Sequence, residues 1–152
     1  MGFLPMESVH PLVVHFPIAL LLASFVLDLT ALILRRPQIH RVALWNLCLG
    51  VLGAGGAVLT GLKAEEIAKH SFEIWNVLTL HERLGFTTLI LSFLGATLRL
   101  VRRDRLSKRL RVLSILLSGA MVGTLVVGAH LGGRLVYEFG VGGPFGTHLL
   151  KP

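Results

Sequence analysis

Residues 10–34 read HPLVVHFPIALLLASFVLDLTALIL. This stretch carries a single Asp, Asp28, and no Glu, Lys or Arg. A helix rises about 1.5 Å per residue, so a run of this length is sufficient to cross a hydrocarbon core roughly 30 Å thick. Similar apolar runs recur, and spans are expected at about residues 11–34, 42–62, 78–101 and 112–131. A bilayer offers backbone groups no hydrogen-bond partners, so each span should be helical. Overall, 53% of the 152 residues are hydrophobic and only 15% are charged. The expected fold is all-α, an integral membrane antiparallel four-helix bundle forming one domain over residues 1–152. No second domain, internal repeat or low-complexity tract is evident.

The formal net charge is +7. In a soluble protein that excess would suggest nucleic acid, but here the cations sit between apolar runs and point to no nucleic-acid partner. Residues 35–41 are RRPQIHR and residues 102–111 are RRDRLSKRLR. With Arg99, these two connections hold ten of the fifteen Lys and Arg residues. The other five are Lys63, Lys69, Arg83, Arg134 and Lys151. The positive-inside rule therefore places both termini outside, on the periplasmic side of a bacterial cytoplasmic (inner) membrane. Residues 1–9 contain no Lys or Arg, unlike a cleavable signal peptide, so the first span is expected to stay as an anchor. Cys48 is the one cysteine and lies within an apolar run, which excludes an internal disulfide and a CxxCH haem attachment.

Residues 63–76, KAEEIAKHSFEIWN, suggest a short helix on the outer membrane surface through Ile67, Phe72, Ile74 and Trp75. In the Gly-rich stretch that follows the last span, Tyr137 and Phe139 suit the interface. Within the membrane, small residues must bring helices together. Gly50, Gly53, Ala54, Ala57 and Gly61 form a stripe on the second span. On the fourth, Gly119, Gly123 and His130 share one face, while Gly128 and Gly132 make a GxxxG pair. Gly85 lies one turn beyond His81. Such faces serve tight helix packing, and they also leave room for a flat macrocycle.

The alternation of the spans brings four of the seven histidines to one membrane face: His10, His15, His81 and His130. Ionisable side chains inside a membrane are candidates for function, and imidazole ligates transition metals. His10 and His15 are five positions apart and should point about 140° apart on a helix, so one faces the bundle while the other serves a neighbour. Haem b held between two histidines on facing helices fits these residues best, because it needs a neutral nitrogen on each side and an apolar slot. The first expected axial pair is His15 and His81. His130 can replace either, His10 supports the site or forms a second one, and Arg83 or Arg134 can meet the propionates. A metal ion held by His15, His81 and His130 is the competing reading.

His40, His70 and His148 read as ordinary exposed or hydrogen-bonded rings. Glu66, His70 and Glu73 have helical spacing and read as a solvated face. Asp28 lies two turns from the inner end of its span and should be satisfied by Arg41, Asn46 or Thr30.

The opening HPLVVHFPIALLLASFVLDL, His81 downstream of Trp75, and the ending GAHLGGRLVYEFGVGG together resemble DUF2231, a bacterial membrane family catalogued as a domain of unknown function. The resemblance runs from His10 to about Gly143, and HPxxVHFP is its distinctive part. It implies four spans and a membrane neighbourhood often linked to respiratory redox modules such as Rieske or c-type cytochrome domains. His10, His15 and His130 match the family pattern. Members often carry His before the final GVG, where this chain has Phe139.

Together these features lead to the expectation of an electron-transfer subunit rather than a stand-alone enzyme. It would lie in the lipid bilayer beside other respiratory or redox membrane subunits. A structural membrane subunit without cofactor, or a periplasmic-face metal or quinol site, is the alternative.

Overall fold

The computed structural model describes residues 6–67, 71–102 and 107–141. Four helices follow in order: α1 (Met6–Leu34), α2 (Pro37–Ile67), α3 (Phe72–Arg102) and α4 (Lys108–Tyr137). All four are long and apolar enough to cross a membrane. They run up and down around a ring in which α1 touches α2 and α4, and α3 touches α2 and α4. No strand occurs among the described residues. At 31 residues, α2 and α3 are about 45 Å long and outreach the hydrocarbon at their ends. Apolar runs in the sequence mark only the part immersed in lipid, which is why the expected spans are shorter. The short surface helix expected within 63–76 is not a separate element: its first residues continue α2 and its last ones open α3.

Local chemistry explains the helix ends. Ser71 and Ser107 accept the backbone N–H of Ile74 and Leu110, each at 3.4 Å, as N-caps of α3 and α4. Pro37 opens α2, where its missing N–H costs nothing. Past the end of α4, Gly140 takes φ 66° and lets the Val141 N–H reach the Leu135 carbonyl at 2.8 Å. α1 also ends on a left-handed residue, but there it is Arg35, with φ 52°. The Arg36 N–H bonds the Ala31 carbonyl at 3.1 Å.

The core is narrow and made of small or thin side chains. Leu21, Leu47 and Met121 are at most 1% exposed, as is Ser92. Ser24 donates to the Ala43 carbonyl at 2.8 Å, tying α1 to α2. Thr88 and Thr124 join α3 to α4 at 2.9 Å. Large apolar residues such as Ile33, Leu52, Trp45, Leu116 and Phe93 face outward, as lipid-facing residues do.

The bundle contains an internal repeat that the amino-acid sequence conceals. Adding 71 to a residue number in the α1–α2 hairpin gives its counterpart in the α3–α4 hairpin. Pro37 maps to Lys108, the first residues of α2 and α4. Pro17 packs on Gly53, and their counterparts Thr88 and Thr124 are hydrogen-bonded. His10 lies against Gly61, and their counterparts are His81 against Gly132. Asp28 maps to Arg99, its partner in an ion pair across the bundle. Because α1 and α3 run in the same direction, matched residues of the two hairpins fall at the same level of the bundle. His10 meets His81 near one end, and Asp28 meets Arg99 near the other.

Candidate functional site: a histidine pair across the bundle

The end of the bundle where α1 begins and α4 finishes holds a cavity of about 400 Å³ with contributions from all four helices. Its walls are largely apolar and include the small residues Ala54, Ala57, Gly85 and Gly128. A Cβ added at Gly85 would meet nothing within 4 Å, so the absent side chain there opens space.

His10 from α1 and His81 from α3 face each other across this cavity. Their ring centroids are 6.1 Å apart and their planes stand at 83°. Each ring lies on a glycine of the following helix. A Cβ at Gly61 would approach His10 Cε1 to 3.0 Å, and one at Gly132 would approach His81 Cε1 to 3.0 Å. Glycine is thus the residue that lets each ring sit flush against the backbone.

Hydrogen bonds fix the protonation pattern of both rings. His81 Nδ1 lies 2.9 Å from the Gly128 carbonyl, which only accepts, so Nδ1 carries the proton. His10 Nδ1 lies 3.2 Å from Thr60 Oγ1. The Thr60 hydroxyl itself donates back to the carbonyls of Gly56 and Ala57, each at 3.0 Å, so toward His10 it accepts. Both imidazoles therefore present an Nε2 lone pair when neutral. The same bond to the other nitrogen is what orients metal-ligating histidines in general.

The remaining expected residues are placed differently. His15 is exposed at the rim of the cavity, and its Nδ1 donates to the Pro11 carbonyl one turn back at 2.6 Å. As the helical angle required, only one of His10 and His15 faces the bundle, and it is His10. The structure therefore brings His10, rather than His15, to His81. His130 is exposed and does not line the cavity, because the Gly123–His130 face of α4 turns away from the bundle while Gly128 and Gly132 turn toward α3. His15, His81 and His130 do not converge, and no group of three potential metal ligands exists among the described residues. Arg83 is exposed, and Arg134 is held by Glu138 at 2.9 Å one turn on; neither lines the cavity. The acidic side chains lining the cavity are Glu65 and Glu82. His70, His148 and the Glu66 side chain lie outside the described residues.

The opposite end contains a buried network that the sequence did not disclose. Asp28, 4% exposed, forms an ion pair with Arg99, 8% exposed. His40 Nδ1 donates to the other carboxylate oxygen at 3.0 Å. Arg99 also donates to Ser114 at 2.8 Å and Ser118 at 2.9 Å. None of the three expected partners reaches Asp28: Thr30 and Asn46 each bond the carbonyl one turn back, and Arg41 forms no ion pair among the described residues. Arg99 reads in sequence as a loop cation, yet it turns inward because an acid in an apolar bundle needs a charge and several donors. A search for a base at the depth of Asp28 on the other spans would have found it.

Comparison with known proteins adds one match. A family model described as a predicted membrane protein (DUF2231) matches residues 6–143. No curated protein and no solved structure matches.

Proposed function

The chain belongs to the DUF2231 family of predicted membrane proteins, and we propose that it is a membrane electron-transfer subunit holding haem b between His10 and His81. The observation that carries this reading is the pair of rings, 6.1 Å between centroids, each with its Nδ1 against an oxygen that can accept its proton. A metal–imidazole bond is about 2 Å long, so rings 6.1 Å apart are close enough for His10 and His81 together to hold one metal centre. The donor set suits iron in a low-spin state, and the glycine- and alanine-lined cavity beside it suits an apolar planar group.

When bound, such a group would accept and release single electrons. The protein's own residues would orient the two rings, exclude water from the bundle and set the local charge. Thr60 and the Gly128 carbonyl fix the ring tautomers. Glu65 and Glu82 in the cavity lining would favour the oxidised, more positive state. By the positive-inside rule this end faces the periplasm, where the bundle would work beside redox subunits of a respiratory assembly.

The hydrogen bonds of His10 and His81 also suit a second reading, in which each ring simply pins the two helices of its own hairpin, α1 to α2 and α3 to α4, in a cofactor-free structural subunit. The visible spectrum of the purified protein separates the two. Haem binding gives a Soret band and a sharp reduced α-band, lost in both His10→Ala and His81→Ala and retained in His130→Ala. A colourless protein from haem-sufficient cells, purified in mild detergent, refutes the electron-transfer reading.

A further inference from the structure

At the end of the bundle opposite the histidine pair, a second cavity of about 610 Å³ opens between the helix ends. Asp28, Arg99 and His40 lie at its inner wall, and Arg35, Arg36, Arg41 and Arg111 line it as well. None of these last four arginines has an ion-pair partner among the described residues. Asp28, the one acid on the wall, is already neutralised by Arg99. In the sequence, residues 35–41 and 102–111 contain nine Lys or Arg residues and one acid, Asp104, so the excess cannot be cancelled within the chain.

A need for positive charge at this membrane face would be met by lysine or arginine on any surface. Two features go further than that. The four free cations on the wall are all arginines, whose planar fork matches the oxygens of a phosphate in pairs. Moreover, one of them, Arg35, occupies the left-handed position that closes α1, where glycine is the unstrained choice. A non-glycine residue is strained in that conformation, because its Cβ crowds the following carbonyl oxygen. Backbone strain of this kind tends to be retained where the side chain has a task.

We infer that this cavity is a binding site for a phosphate-bearing anion, held by Arg35, Arg36, Arg41 and Arg111. The chemistry is that of a phosphate mono- or diester with little recognition of what it is attached to. An anionic phospholipid headgroup and a soluble phosphorylated molecule are both sources of it. The position at the end of the spans, in the leaflet that the positive-inside rule assigns to the cytoplasm, makes either source accessible. The site is independent of the histidine pair and stands or falls without it.

The test is native mass spectrometry of the full chain in mild detergent, titrated separately with phosphatidylglycerol, phosphatidylcholine and inorganic pyrophosphate. A saturable adduct with phosphatidylglycerol, tighter than with phosphatidylcholine, identifies the lipid source; one with pyrophosphate identifies the soluble source. In either case Arg41→Gln with Arg111→Gln should weaken the adduct by about tenfold or more, since each lost charged hydrogen bond is worth about that factor. Lys108→Gln with Arg109→Gln removes the same charge from exposed positions off the wall and should change it less than about twofold, the size of a screened surface charge effect. Equal losses in the two double variants would reduce the site to diffuse surface charge and overturn the inference. So would the absence of any adduct preferring phosphatidylglycerol over phosphatidylcholine together with no pyrophosphate binding. Arg41→Lys with Arg111→Lys keeps charge and fold and should recover only part of the affinity; full recovery would remove the argument from the arginine fork.

Discussion

His10 and Gly61, or His81 and Gly132, are best considered as single units. The ring needs a backbone without Cβ beneath it, and the glycine has value only because a ring covers it. Gly132→Val places branched carbon where His81 Cε1 stands 3.0 Å from a bare Cβ position, so the ring must move. The account expects this variant to lose or shift the haem spectrum while the protein still inserts and purifies, which a visible spectrum and the yield check together. Asp28 gives a prediction of a different kind. Removing one partner of a buried ion pair costs about 3–5 kcal/mol, whereas replacing both by apolar residues is often close to neutral. Arg99→Leu should therefore be strongly destabilised in thermal unfolding, and Asp28→Leu with Arg99→Leu should recover most of the loss.

At the scale of elements, length and hydropathy made the four helices legible. The ends of α2, α3 and α4 were less so. Residues such as Lys63 and Glu73 look like loop or surface positions, yet they continue helices that outreach the lipid. The choice between His10 and His15 was legible only in part. Helical geometry showed that they diverge, but which one faces the bundle depends on how α1 is rotated against α2. The glycine stripe on α2 sets that rotation: Gly53 receives Pro17 and Gly61 receives His10. On α4 the GxxxG pair Gly128 and Gly132 faces α3, so His130, two positions from each, points away. Capping gives a simple check at this scale. Ser107→Ala removes the N-cap of α4 and should cost about 1 kcal/mol in unfolding experiments, with no effect on the spectrum.

The whole molecule is two helical hairpins whose contacts match in register, although their sequences share few residues at corresponding positions. Physical roles are kept where identities are not: proline on glycine in one hairpin becomes threonine on threonine in the other, and an acid becomes its own counter-ion. That divergence is why no repeat was visible beforehand. Each hairpin has its own α–α interface, and membrane helices associate after insertion through such interfaces. Residues 1–69 and 70–152, co-expressed as separate chains, should co-purify and give the spectrum of the intact protein; failure to associate would show that the chain connection is needed. Orientation belongs to this scale as well. Tyr137→Cys, at a highly exposed position, should react with a membrane-impermeant maleimide added to intact spheroplasts, once Cys48→Ser has removed the native thiol. Labelling only after lysis would place this end of the bundle in the cytoplasm.

The most direct measurement for the central claim is electron paramagnetic resonance of the oxidised, purified protein with its haem content determined in parallel. Two imidazoles on opposite sides of one iron, held with planes near the 83° of His10 and His81, give a low-spin ferric signal of strong anisotropy. The account predicts that signal at one haem per chain, absent from His10→Ala. A protein without haem, or a low-spin signal unchanged by loss of the His10 ring, would contradict it.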